Sequence, residues 1–170
     1  MNDIERYENS VRILADNRIG DVLLNKGEDH AKIIFYNLFR IAESTVRIFA
    51  VDLSGDVPNS DEYTTQLREF LKRKGRAHIL LEQTPDITKS VFGILCEFAD
   101  QVSIKTTTLR PKIGDGEINF CAADDFAYRI ETDKVKCEAH VSFNDKKQTS
   151  ELKRVFDLMF TDEKSITFNL

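Results

Sequence analysis

The residue types with chemistry to offer are few and dispersed. Three histidines (His30, His78, His140), three cysteines (Cys96, Cys121, Cys137), a scattered acidic group (Asp52, Asp115, Glu117, Asp124, Asp125) and a basic run (Lys72, Arg73, Lys74, Arg76) are the candidates. An imidazole titrates near neutral pH and can act as base or nucleophile. His78 and His140, however, fall inside strand-like stretches, where a lone histidine reads as part of the polar face. The acidic group would suit a hard divalent cation, which prefers oxygen ligands. Read more simply, these are loop and turn residues of an acidic protein, and no metal is expected. The basic run would suit an anion, but it lies where a helix C-terminus already favours positive charge, and it reads as a solvated helix end. The cysteines are odd in number, scattered and set in apolar patterns. They read as reduced core residues of a cytoplasmic protein, and their spacing with histidine matches no zinc site.

The chain of 170 residues is long enough to bury a substantial core, and positions 1–170 read as one domain with an N-terminal helix, 1–20, as an extension. Hydrophobic residues make up 41% and charged residues 31%, the balance of a globular protein. A formal net charge of -5 disfavours a polyanionic partner, so nucleic-acid binding is not favoured. The opening MNDIERYENS has no apolar core of a secretory signal, and no apolar run approaches the roughly 20 residues of a membrane span.

The elements that must position these residues follow from periodicity. Ile4, Tyr7, Val11 and Leu14 share one helical face over 3–17, and breaks follow at Gly20 and Lys26-Gly27. A stronger helix is expected over 28–44, with Ala31, Ile34, Phe35, Leu38, Phe39 and Ala42 as its apolar stripe. TVRIFAVDL (45–53) reads as a central strand covered on both faces, followed by a polar loop, 54–62, at its C-terminal end. Helix 61–74 stops at Gly75, and strand 76–83 follows. Thr84-Pro85 looks like a cap and first turn of a helix to about 100 that buries Ile87, Val91, Ile94, Leu95 and Phe98. After strand 101–108 and loop 109–116, the stretch 116–145 reads as an antiparallel meander turning at Asp124-Asp125 and Thr132-Asp133. Asn144 and Asp145 then cap a helix over 146–160, and SITFNL adds a last short strand. The fold class is therefore α/β: a mixed, mostly parallel sheet flanked by helices on both faces, with antiparallel strands towards the C-terminus.

Over roughly residues 28–161 this order resembles a single phospholipase D-like domain. VRIFAVDL (46–53), the Lys-rich helix end before Gly75, the meander INFCAADDFAYRIE (118–131) and FND (143–145) leading into a helix that ends FDLMF (156–160) carry the resemblance. Catalytic members of that superfamily carry His-x-Lys-x4-Asp. The resemblance implies a histidine nucleophile, a lysine that stabilises phosphoryl charge, an orienting acidic residue, and two such motifs meeting across a dimer axis. On this chain the corresponding positions hold Glu117, Asn119 and Asp124. A glutamate repels an approaching phosphate, and an asparagine brings no positive charge to the developing oxyanion. His30-Ala31-Lys32 followed by Asn37 mimics the spacing, but on a helix the first two lie about 200° apart and cannot converge on one phosphate.

The expected function is a non-catalytic, dimeric binding or assembly module with a protein partner and no cofactor, in which loops 54–62 and 109–116 carry recognition. The resemblance extends this to a regulatory role in a prokaryotic nucleic-acid-processing or defence system. The alternative is a phosphodiesterase, nuclease or phospholipase, with an unusual residue set, for which His140 beside Glu117 would supply the base. A nucleic-acid-binding module without catalysis is a third reading, and would require a basic surface stripe.

Overall fold

The computed structural model describes residues Met1–Leu170. The helices are α1 (Asp3–Asp16), α2 (Glu28–Ile41), α3 (Asp61–Lys72), α4 (Ser90–Glu97) and α5 (Lys146–Thr161). The strands are β1 (Leu23–Lys26), β2 (Thr45–Ala50), β3 (Arg76–Leu81), β4 (Val102–Thr107), β5 (Lys112–Ile113), β6 (Gly116–Glu117), β7 (Asn119–Ala123), β8 (Ala127–Asp133), β9 (Glu138–Ser142) and β10 (Ser165–Phe168). Eight of the strands form one sheet in the order β1-β9-β8-β7-β2-β3-β4-β10, and β5 pairs only with β6. The α/β architecture with a mixed sheet is as expected. Its parallel part is β2-β3-β4, and the meander, β1 and β10 pair antiparallel.

The sheet buries both of its faces. Side chains from α1 to α4 pack on one, with Val11, Ile34, Leu38, Phe39, Leu67, Phe70, Val91 and Leu95 fully enclosed. On the other face, Leu152, Phe156 and Met159 of α5 cover Phe49, Leu80, Phe120, Tyr128 and Ile130. Each such aliphatic or aromatic side chain contributes about 1.5–3 kcal/mol on burial. The stripe read from 28–44 is therefore the one that packs. Helix α1 opens on a capping box, with Asn2 accepting from the Glu5 amide and Glu5 from the Asn2 amide, and it places Val11 and Ala15 in the core.

Several local expectations are corrected. The break before Lys26-Gly27 contains a strand, β1, which pairs with β9 as one edge of the sheet. Four residues with only Asn25 buried carry too little alternation to announce a strand. Thr84-Pro85 does not open α4. Asp86 instead accepts from the Thr88 amide at 3.0 Å and its hydroxyl at 2.6 Å, and such local bonds compete with helix formation. The helix begins at Ser90, and Ile87 is 60% exposed rather than buried. Strand β2 ends at Ala50, because Leu53 takes a left-handed φ of 63° and Asp52 accepts from the Ser54 amide and hydroxyl. At the end of α3 the left-handed residue is Lys74 (φ 71°), not the glycine. Gly75 is required for another reason: a Cβ there would sit 2.3 Å from the Phe70 ring.

Candidate functional site

Antiparallel pairing of β7 with β8 places Asn119 opposite Glu131 and Cys121 opposite Arg129. Strand alternation turns these four side chains towards α2 and α3, while Phe120, Tyr128 and Ile130 turn towards α5. The chain leaving β2 folds back over this polar row. Between them lies a cavity of about 180 Å³, whose apolar lining includes Phe35, Tyr63, Leu53 and Val57. Its charged lining residues are Asp52, Arg129 and Glu131, and Asn119 and Cys137 complete the polar side.

Arg129 is 3% exposed and organises the row. Its Nε donates to Asn25 Oδ1 at 2.9 Å, and Nη2 donates to Glu131 Oε2 at 2.8 Å. Its guanidinium carbon lies 5.1 Å from the Phe35 ring centroid, a cation–π distance. The other Glu131 oxygen accepts from Asn119 Nδ2 at 3.1 Å. Asn25 Nδ2 donates in turn to the carbonyls of Cys137 and Gly27, tying edge strand β1 to the network. One atom is left over: Asn119 Oδ1 is buried and accepts no hydrogen bond. Because a carboxylate only accepts, Glu131 requires the amide nitrogen to face it, and Oδ1 points elsewhere. Burial pushes the Cys137 thiol up to about 11, with Arg129 opposing and Glu131 adding to the shift. Burial likewise raises the Tyr63 phenol. A buried ion pair adds little net stability over apolar side chains of the same size. What the Arg129–Glu131 pair provides is fixed polar geometry at the edge of an apolar space.

The positions singled out from the sequence are not gathered at one point. Asn119 lines the cavity. Glu117 is exposed on the β5–β6 hairpin, opposite Lys112. Asp124 lies beyond the far end of β7, about 16 Å from Asn119 at the usual rise per residue. Its carboxylate accepts from the amides of Glu43, Ser44 and Thr45 at 2.7, 2.8 and 2.9 Å, so it clasps the meander to the start of β2. His140, exposed on β9, is paired with Ile130 and Leu24 and faces away from Arg129. His78 sits on β3 with its ring edge-on to Phe160, and burial lowers its pKa. His30 lies in the first turn of α2, stacked on Tyr7 at 3.6 Å, and Lys32 beside it pairs with Asp29. The spacing mimic is therefore helical, as read.

The acidic group does not converge: Asp52 caps Ser54, and no cluster of His, Cys, Asp or Glu has the makings of a metal site. The basic run is not merely solvated. Arg73 Nη2 donates to the carbonyls of Phe39, Arg40 and Ala42 and so stitches α3 to the C-terminus of α2. Loop 54–62 contributes Ser54, Gly55, Val57 and Pro58 to the cavity wall, while 109–116 forms the hairpin that bears Glu117. The sequence reading passed over Arg129, Glu131 and Asn25. The available signal was Arg and Glu two residues apart in the apolar run AYRIET, which a strand must place on one face.

No family model matches the sequence, and no curated protein matches it. Similarity appears at the level of structure. Nuc from Salmonella typhimurium, a phospholipase D family member, superposes with a TM-score of 0.63 at 12% identity, over 88% of this chain and 99% of its own. NucT from Helicobacter pylori gives 0.62 at 15% identity, over 87% and 99%. TrmBL2, an archaeal chromatin protein with its own mode of DNA binding, gives 0.63 at 13% identity, over 96% of this chain and 62% of that one. The chain has the phospholipase D-like fold. No helix is long and apolar enough to cross a membrane.

Proposed function

We propose that this chain is a non-catalytic phospholipase D-like module that binds and assembles rather than hydrolyses. The observation that carries the reading is the composition of the cavity: neither histidine nor lysine lines it, and Asn119 is held there by Glu131. In the phospholipase D-like alignment Asn119 stands at the lysine position and Glu117 at the histidine position. Neither offers a phosphohistidine or a compensating cation. His140, on the other side of the sheet, is poorly placed to substitute. The reading extends to pairing with a second copy, to a protein partner, and to a regulatory part in a prokaryotic nucleic-acid-processing or defence system. Three unpaired cysteines fit a cytoplasmic setting.

The test is hydrolysis of bis-p-nitrophenyl phosphate and of single- and double-stranded DNA, with and without divalent cations. Wild type is compared with Glu117→His/Asn119→Lys and with His140→Ala. A silent wild type supports the module. Wild-type turnover that disappears in His140→Ala would replace it with an unorthodox phosphodiesterase. Light scattering on the eluting protein tests the dimer, and a monomer at micromolar concentration removes that part.

A further inference from the structure

We propose that the outer edge of β1 is a site for an added antiparallel strand, the β1 of a second copy of this chain, and that Tyr7 and His30 hold it shut until His30 is protonated. This goes beyond the module reading: it names a contact surface and what controls it.

Backbone alternation locates the surface. β1 is the last strand of the sheet, and its inner neighbour is β9. The Gly27 amide donates to the Cys137 carbonyl, so Asn25 and Leu23, at the same phase, also turn their backbone groups in towards β9. Those of Leu24 and Lys26 therefore point outward, where a further strand would meet them. Two side chains stand in that place. The Tyr7 hydroxyl donates to the Leu24 carbonyl at 3.2 Å, and His30 Nδ1 accepts from the Lys26 amide at 3.2 Å. The two rings stack, with centroids 3.6 Å apart and planes 7° from parallel. Together they supply one donor and one acceptor, as a residue of a neighbouring strand would. The closure is light. No residue from Met1 to Ser10 is buried, and α1 is anchored further on by Val11 and Ala15, so its N-terminal half can swing out while the rest stays in the core.

His30 sets the control. An obligate N–H donor faces Nδ1, so the neutral ring carries its proton on Nε2. Protonation sets a second N–H against that of Lys26, and the bond is lost. Burial opposes protonation, Asp29 in the same helix favours it, and Lys26 of β1 adds to the opposition. From α1 the ring meets the Tyr7 phenol, pushed by burial up to about 12 and so neutral throughout.

The partner that fits is the same edge of a second copy. The segment runs from Asp21 to Lys26, so antiparallel pairing sets its acidic start against the basic end of its copy, whereas parallel pairing would oppose like charges. Centred on Leu24, such pairing is symmetric: it sets Leu24 against Leu24, and Val22 against the aliphatic stem of Lys26. Val22 and Leu24 are 55% and 52% exposed, and both gain burial.

The test is light scattering on the eluting protein at pH 7.5, 6.5 and 5.8, the last still above the isoelectric point near 5.3. Wild type is compared with His30→Ala and Leu24→Pro, alone and combined; the proline removes an outward N–H without changing the charge. The wild-type mass should double between pH 7.5 and 5.8. His30→Ala should show that doubled mass already at pH 7.5, and Leu24→Pro should abolish both increases. A wild-type mass that stays flat down to pH 5.8 overturns the proposal, as does an increase that survives Leu24→Pro, or a folded His30→Ala that matches the wild type at pH 7.5. The wild-type pH series decides the matter if His30→Ala does not fold. Because the readout is a change in mass, any pairing present at pH 7.5 cancels, and failure here leaves the non-catalytic reading, which the hydrolysis assay reports, untouched.

Discussion

Asn119 and Glu131 face each other across the β7–β8 pair, and the amide of one donates to the carboxylate of the other at 3.1 Å. That single bond decides which way the amide turns, and so which atom is left without a partner. It also places on one carboxylate both the asparagine and the buried Arg129.

Removing one member of the buried pair should cost far more than removing both. Glu131→Gln leaves the Arg129 guanidinium enclosed without its counter-charge, and a loss of about 3–5 kcal/mol in urea unfolding is expected. Arg129→Met with Glu131→Leu should destabilise by less than the sum of the single changes. Strict additivity in that double-mutant cycle would mean that the two side chains do not stabilise each other.

Asp124 should prove to be a structural residue. It accepts from three consecutive backbone amides, and it holds a left-handed φ of 50°, which Asp and Asn tolerate. Asp124→Ala is expected to lower stability by about 2 kcal/mol, given the partial exposure of those bonds, and Asp124→Asn to recover part of it. Unchanged thermal midpoints for both variants would remove the clasp from the account.

Thiol reactivity should rank by burial. Cys96 is exposed, burial holds Cys137 up at about 11, and enclosed Cys121 is pushed up to about 12. Because the thiolate is the reacting species, iodoacetamide at pH 8 should label Cys96 first, with the other two reacting on unfolding. Peptide mapping that finds Cys137 labelled as fast as Cys96 would contradict the partial burial that holds its thiol protonated.

Stability should fall as the pH drops below the ordinary histidine range. The pKa of His30 is lowered, chiefly by burial, with Asp29 opposing and Lys26 adding; that of His78 is lowered by burial, then by Arg47. Neutral His30 also accepts from the Lys26 amide through Nδ1, a bond that protonation removes. In this window the unfolded chain binds more protons than the folded one, so the contribution is full above about pH 6.5 and is lost as the pH falls through the depressed values. Urea midpoints at pH 7.5, 6.5 and 5.5 should decline in that order, and less steeply in His30→Gln/His78→Gln. A midpoint that rises on acidification would reverse the sign assigned here.

Local pattern determined the α/β class, the inner stripe of α2, the alternation of helix and strand that calls for parallel pairing, the meander turning at Asp124 and a cap at Asn144 or Asp145, because each depends on residues close together in the chain. Local bonding was harder to see: Asp86 folds back on Thr88 and delays α4, and Lys74 rather than Gly75 takes the left-handed turn. The site itself belongs to the tertiary structure. Asn25 and Arg129 are 104 residues apart, and nothing in either neighbourhood reports the 2.9 Å bond between them. Asn119 could be singled out from the chain, but whether it met a cation, a carboxylate or water depended on which strand paired with β7 and in what register. Register is a long-range choice, made by the burial of a whole sheet face, and a shift of one residue would have turned Arg129 and Glu131 to the other side.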